Sequence, residues 1–314
     1  MNLGGTPAEG VQLIGNKAAS SGGGIYASGA TVNITNCTIK GNTARAAGGG
    51  GGGGAIYAGK TGSTASAVTI KGGTIGGMGT NDANKAENLG IGGAICIGEG
   101  CTLTMQDNAE LIGNNAGESG GGIFAYSATV NITNCTLKSN TAKRGGAIHV
   151  QKTGSTSSTV TIKGNTTIGG TGPNDANNAT GDGTYEGGGG IWVGEACNLT
   201  LQDSVKVIGN KATKKGKGIN ASNTLVCIKD SVEVDQNNDV YLDYGSKIRA
   251  DSALTPPSNK AACITVPDDQ YQTTTQVLIA VTSVNLANEA GKFSVTPKGS
   301  QTWSVDGNGY LKTP

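Results

Sequence analysis

The chain has 314 residues, of which 55 are glycine and only two each are Trp and Phe, with 23 Lys+Arg against 22 Asp+Glu. So few large hydrophobes exclude an ordinary globular core of this length, whereas a solenoid buries only a thin slice of each turn against its neighbours. The charge balance gives no basic footprint for nucleic acid or an anionic membrane, and no apolar run approaches the roughly 18 residues of a membrane-spanning helix.

In chain order, the first ten residues carry no signal-peptide pattern. Leu3-Gly4-Gly5-Thr6 matches Ile168-Gly169-Gly170-Thr171, a mid-turn position. The match predicts that the chain begins inside a longer array, with an N-terminal cap and export signal lying upstream. Gly22–Asn42 then reads as one solenoid turn: two glycines, a strand Ile25-Tyr26-Ala27, a second strand Val32-Asn33-Ile34, an Asn corner, and a closing Gly41-Asn42.

The turn repeats. Ile14-Gly15-Asn16 recurs 98 residues on at 112–114 and 96 further on at 208–210; VNITNCT recurs at 32–38 and 130–136, and KTGST at 60–64 and 152–156. These spacings define blocks of about 97 residues. The Gly-Gly-x-Ile opening puts Ile at 25, 56, 95, 123, 148, 191 and 219, so each block holds three turns. The runs are β-branched and alternate with period two, the signature of strands rather than helices. Turns of this length punctuated by Gly and Asn predict an all-β fold, a parallel β-helix, over 1–248.

Stacking the turns aligns Ile25 with the six later isoleucines, and Val32/Ile34 with Val68/Ile70, Leu103/Met105, Val130/Ile132, Val160/Ile162 and Leu199/Leu201, all facing inward. The corner after the second strand reads Asn36, Gly72, Asp107, Asn134, Gly164, Asp203 and Asp230, all residues that tolerate a left-handed backbone. Equivalent cysteines, Cys37 with Cys135 and Cys101 with Cys197, then lie three rungs or about 14 Å apart, beyond the roughly 7 Å that a disulfide spans. Cys96 and Cys101 are near in sequence, but the segment between them leads from one strand to the next. Leu225–Val234 and Asp239–Ile248 read as final rungs. After Thr255-Pro256-Pro257, the short strands of 249–314 lack Gly-Gly openings and are expected to form a C-terminal β cap over the exposed end of the solenoid.

The Gly-Gly-x-Ile openings and the closings Thr38-Ile39-Lys40-Gly41-Asn42 and Thr136-Leu137-Lys138-Ser139-Asn140 resemble the repeats of the chlamydial polymorphic outer membrane proteins, with Ile, Leu or Val in place of the Phe of their FxxN motif. The C-terminal stretch from Ile264 to Lys312 is similar to segments of spirochaete surface proteins with such repeats. The resemblance implies export, a right-handed β-helix and an adhesive, host-facing role. It supplies no catalytic residues.

Gly54–Thr61 matches GxxxxGK[ST], but its variable positions are themselves a strand and no helix follows, so no nucleotide site is expected. No cofactor motif is present. Asp82, Asp175, Asp182 and Glu186 lie on long loops without a paired-carboxylate motif for glycoside hydrolysis. Those loops, with Asn81, Asp82 and Asn84 in one copy and Asn174, Asp175 and Asn177 in the next, are candidate contact or calcium-binding segments. The residue after each inward Ile should point outward: Tyr26, Tyr57, Cys96, Phe124, His149, Trp192 and Asn220. With Tyr126 on the same face, Tyr26, Tyr57, Phe124, His149 and Trp192 form a candidate ligand-binding wall for a sugar or a protein, set against the plainer reading of cross-rung stacking. His149, the sole His, is expected to be exposed there. Asn33-Ile34-Thr35 and Asn131-Ile132-Thr133 read as outward strand positions rather than glycosylation sites. The sequence thus predicts a non-enzymatic secreted or cell-surface protein that meets a host or matrix protein or a glycan. A carbohydrate-active β-helix enzyme and a passive stalk are the alternatives.

Overall fold

A computed structural model describes residues 1–4, 10–45, 51–184 and 186–313. The chain winds as a right-handed parallel β-helix with four strands to a turn, and each strand pairs with its equivalents in the turns before and after. The first wall of each turn, the isoleucine wall, begins with Ile25–Ser28 and runs through ten strands to Phe293–Val295; the second, the valine wall, runs through ten strands from Asn2–Gly4 to Leu278–Ala280. The third wall has eight strands, from Gln12–Ile14 to Glu233–Val234. A fourth, the alanine wall, has seven two-residue strands from Lys17–Ala18 to Lys211–Ala212.

The register follows the hydrophobic columns. Ile25, Ile56, Ile95, Ile123, Ile148, Ile191 and Ile219 are Cα partners from rung to rung, and the Val32/Ile34 column pairs as expected through Leu199/Leu201. Nearly all of these side chains are buried in one continuous core. The corner after the valine wall is left-handed at all seven positions, with φ between 51° at Asn36 and 67° at Gly164.

The Gly-Gly opening has a double cause. Gly53 adopts φ 68°, where a Cβ would lie 2.0 Å from the carbonyl oxygen of Ile56; a Cβ on Gly54 would lie 2.1 Å from that of Gly93. The first glycine makes the turn into the isoleucine wall, and the second allows the next rung to close on it.

The alanine wall was not among the predicted strands. Its inward residue is alanine in every rung, from Ala18 and Ala44 to Ala179 and Ala212. A second unpredicted device sits at the corner between the third and alanine walls. Asn16, Asn42, Asn84, Asn114, Asn140, Asn177, Asn210 and Asn238 form a ladder in which each side-chain amide meets the next at 2.9–3.0 Å. The side-chain nitrogens also donate to main-chain carbonyls of the third wall, such as Ile39, Ile75 and Leu111. Side-chain bonding along the Asn36 corner is sparser: Asn165 donates its main-chain N–H to Asn134 Oδ1 and Gly164 donates to Asp203 Oδ2, both at 2.8 Å.

Two expectations are corrected. Leu3 pairs with Ile34 on the valine wall, whereas Ile168 pairs with Leu137 on the third wall, so the two are not equivalent; a shared Leu/Ile-Gly string is too short to identify a wall. Gly5 and Thr6 of that match lie outside the described residues. The parallel pairing also does not end at 248. Ala262–Thr265 and Phe293–Val295 extend the isoleucine wall and Leu278–Ala280 the valine wall. Closure comes from a short helix at Leu286–Ala290 and an antiparallel pair, Ser304–Val305 with Leu311–Lys312. Among the described residues no helix is long and apolar enough to cross a membrane.

Candidate binding surface

The outer face of the isoleucine wall has two columns. The column after the isoleucines places Tyr26, Tyr57, Cys96, Phe124, His149, Trp192, Asn220 and Tyr241 in register. Two residues further along each strand, Gly59, Gly98, Tyr126, Gln151 and Gly194 form the other. Rung spacing alone would hold successive rings about 4.8 Å apart, and the rings stack accordingly. Tyr26 lies 5.0 Å from Tyr57, Phe124 5.1 Å from His149, and His149 4.3 Å from Trp192, with interplanar angles of 15°, 11° and 4°. The break at Cys96 is bridged by the hydroxyls of Tyr57 and Tyr126, 3.4 Å apart.

These rings lie down across the wall. A Cβ on Gly59 would meet the Tyr57 ring at 2.9 Å, one on Gly98 the Tyr126 hydroxyl at 2.7 Å, and one on Gly194 the Trp192 ring at 2.8 Å. The glycines of the second column are the seats on which the rings rest. Burial raises the pKa of both bridging tyrosines, so the pair stays protonated and neutral.

The wall is less open than alternation predicts. Tyr26 is 63% exposed, and Tyr57, Tyr126 and Trp192 are half-buried, but Phe124 is 3% and His149 1% exposed. The expectation of an exposed His149 is therefore corrected. It is sandwiched between Phe124 and Trp192, and a narrow rail of bridged residues, Gly52, Ile91, Ser119, Arg144, Gly187 and Lys215, runs alongside the column. A Cβ on Gly52 would lie 3.0 Å from that of Cys96, which shows how closely the rail approaches. Strand alternation says which side chains leave the core; it does not say that the chain ahead of each Gly-Gly folds back over them. Burial and the nearby Arg144 charge lower the His149 pKa to about 3. The neutral ring turns Nε2 toward Gln151 Oε1 at 3.3 Å, and Nδ1 has no partner.

The long loops occupy equivalent places in the two blocks, between the third wall and the asparagine ladder. Asn81 and Asn174 are exposed. Asp82 pairs with Lys40 at 3.0 Å and Asp175 with Lys138 at 2.9 Å, and each also accepts a loop N–H, from Gly79 and Gly172. Hydrogen bonding to those lysines holds both carboxyl pKa values down. Asn84 and Asn177 are not loop ligands: they are fully buried rungs of the asparagine ladder. The structure therefore separates each predicted Asp/Asn calcium pair, and among the described residues no group of three or more His, Cys, Asp or Glu side chains converges as a metal site. Lys60 and Thr61 of the phosphate-loop string leave a strand, Ile56–Gly59, into a tight Thr61–Thr64 hairpin. All seven cysteines are buried and free.

Residues 10–28 and 36–59 match the Chlamydia polymorphic membrane protein (Chlamydia_PMP) repeat. These stretches contain the Gly-Gly openings before Ile25 and Ile56, together with Ile39 and Asn42, which supply a core residue of the third wall and a ladder rung. No curated protein and no solved structure matches the chain.

Proposed function

We propose that this chain is a non-enzymatic, surface-displayed β-helix that binds a host or matrix protein or a glycan through the outer face of its isoleucine wall. The observation that carries the reading is the ordered aromatic strip: Tyr26 and Tyr57 stacked at the N-terminal end, Tyr126 bonded to Tyr57, and Trp192 partly exposed further along. Aromatic rings fixed in advance by stacking offer large amphipathic contacts with little loss of side-chain freedom on binding. Phe124 and His149 support the strip from within rather than touch a partner.

The match to the polymorphic membrane protein repeat supports display at a bacterial outer membrane or surface. The state of the acids supports a non-enzymatic role. Glu99 pairs with Lys60, Glu118 with Lys143 and Arg144, and Glu195 with Lys152. Asp82 and Asp175 are likewise held by lysines. Carboxylates engaged singly with lysine or arginine lack the facing acid–base pair of a glycoside hydrolase.

The test has two arms. Beads coated with the chain should be retained on cultured epithelial cells, and incubation with a panel of acidic and neutral polysaccharides should release neither new reducing ends nor unsaturated uronates. Product formation would overturn the non-enzymatic reading, and beads that wash off like albumin-coated ones would overturn the adhesive one.

A further inference from the structure

The near-neutral total of the chain hides a local excess of positive charge. Lys211, Lys214, Lys215 and Lys217 fall within seven residues, on the segment that leads from the alanine wall to the isoleucine wall. In earlier turns most of the charges of this corner are paired across rungs, though not Lys85 at the strand position of Lys211. Arg45 faces Glu87 at 4.0 Å, and Glu118 holds Lys143 at 3.1 Å and Arg144 at 2.5 Å. In the 211–217 turn the pattern fails: among the described residues none of the four lysines forms an ion pair. The nearest acids are partly engaged with main-chain N–H groups. Asp182 shares a small hollow with Lys214 and Lys215, while Asp239 accepts from the Lys217 N–H at 2.8 Å, Asp235 from the Asn237 N–H at 3.0 Å, and Glu186 from the Gly183 N–H.

The fold gathers these lysines. A Cβ on Gly189 would lie 2.3 Å from the Lys211 carbonyl and 2.4 Å from that of Lys217, so the two ends of the segment meet over that glycine. Lys211 and Lys217 then line one open cleft of about 500 Å³ with Asn178, Thr213 and Asn237. Lys211, Lys214 and Lys217 are exposed. Lys215 instead lies over the Tyr241 ring at 4.8 Å and ties the segment to the wall.

We propose that this corner is a binding site for a linear sulfated polysaccharide. Lysine ammonium groups are compact, mobile point charges, suited to sulfates spaced along a flexible chain. The amides of Asn178 and Asn237 and the Thr213 hydroxyl present donors and acceptors to sugar hydroxyls between the sulfates. The described residues lining the cleft include no aromatic ring on which a nucleic-acid base could stack and no large apolar side chain to enter a lipid surface.

The site is separate from the aromatic strip, and the test keeps the two apart. The probe is immobilised heparin, eluted with salt. The wild-type chain should stay bound at about 0.15 M salt and pass through a matrix of fully desulfated heparin. Lys211→Gln/Lys214→Gln/Lys217→Gln should elute earlier, with a slope of log K against log salt about 2–3 smaller, as expected for three lost charge contacts. The corresponding Lys→Arg triple variant should elute with the wild type, which shows that charge rather than folding is at issue. Tyr26→Ala/Tyr57→Ala/Trp192→Ala should also be retained. Wild-type chain in the flow-through, a Gln variant that elutes with the wild type, loss of retention in the aromatic variant, or stronger competition by duplex DNA or phosphatidylserine vesicles than by free heparin at equal charge would each overturn the proposal.

Discussion

Asn140 takes part in four buried side-chain hydrogen bonds. Its Nδ2 donates to Leu111 O and Asn177 Oδ1, and its Oδ1 accepts the main-chain N–H and side-chain amide of Asn114. Asn140→Ala leaves several buried polar groups unmatched, each at about 1–3 kcal/mol, so urea denaturation should show a loss of about 3–5 kcal/mol. A change at exposed Asn81 should register under about 0.5 kcal/mol by the same measurement. His149 gives the second prediction at this scale. Its pKa is about 3 in the folded chain, against about 6.5 unfolded. Between those values the unfolded state binds a proton that the folded state refuses. Stability is therefore complete above pH 6.5 and falls by about 1.4 kcal/mol for each unit below it. From pH 7 to pH 5 the loss due to this residue is about 2 kcal/mol, and His149→Phe should lack it; equal pH slopes for the two proteins would show that His149 takes up its proton in the fold. Neither residue's place was fully legible in the sequence. The string Asn-x-Ala recurs at Asn16, Asn42, Asn84, Asn114, Asn140, Asn177 and Asn210, and marks both ladder and alanine wall. Its signal is two residues wide and lies inside polar stretches that read as loop.

At the scale of the element, the strands of the isoleucine and valine walls were legible because period-two burial and the Gly-Gly opening repeat in every turn. The three-residue third wall presents one inward side chain per rung, such as Ile39, Ile75 and Leu111, too short for alternation to show. The aromatic strip was legible as a column but not as a partly covered one, since its cover comes from a rail with no periodicity of its own. The seats beneath the rings give a prediction here. Gly194→Val should lift the Trp192 indole from the wall, because even a Cβ would lie 2.8 Å from that ring. In a Trp303→Phe background, which leaves Trp192 the only indole, emission should shift to longer wavelength with little change in β circular dichroism. An unshifted spectrum would mean that the ring does not rest on Gly194.

The whole molecule is one core carried through successive rungs, and the duplicated ion pairs Lys40–Asp82 and Lys138–Asp175 show the repeat reaching the surface loops. Because every cysteine is buried in that core or beneath its walls and none is paired, a thiol reagent should titrate none of the seven in the native chain and all seven after unfolding. Early reaction of one or two would locate a turn that opens separately. The continuation of both long walls past 248 was hidden because Ala262–Thr265 and Phe293–Val295 pair as rungs without the Gly-Gly signature. The function proposed belongs to this scale too, since the strip exists only when successive turns align. The most direct test is a glycan and matrix-protein array probed with the chain and with Tyr26→Ala/Tyr57→Ala/Trp192→Ala, the variant first shown to keep its β circular dichroism. Binding by the wild-type chain at non-sulfated positions, lost or weakened at least tenfold in the variant, is the predicted result. Undiminished binding by the variant, or no binding by the wild type, would contradict it.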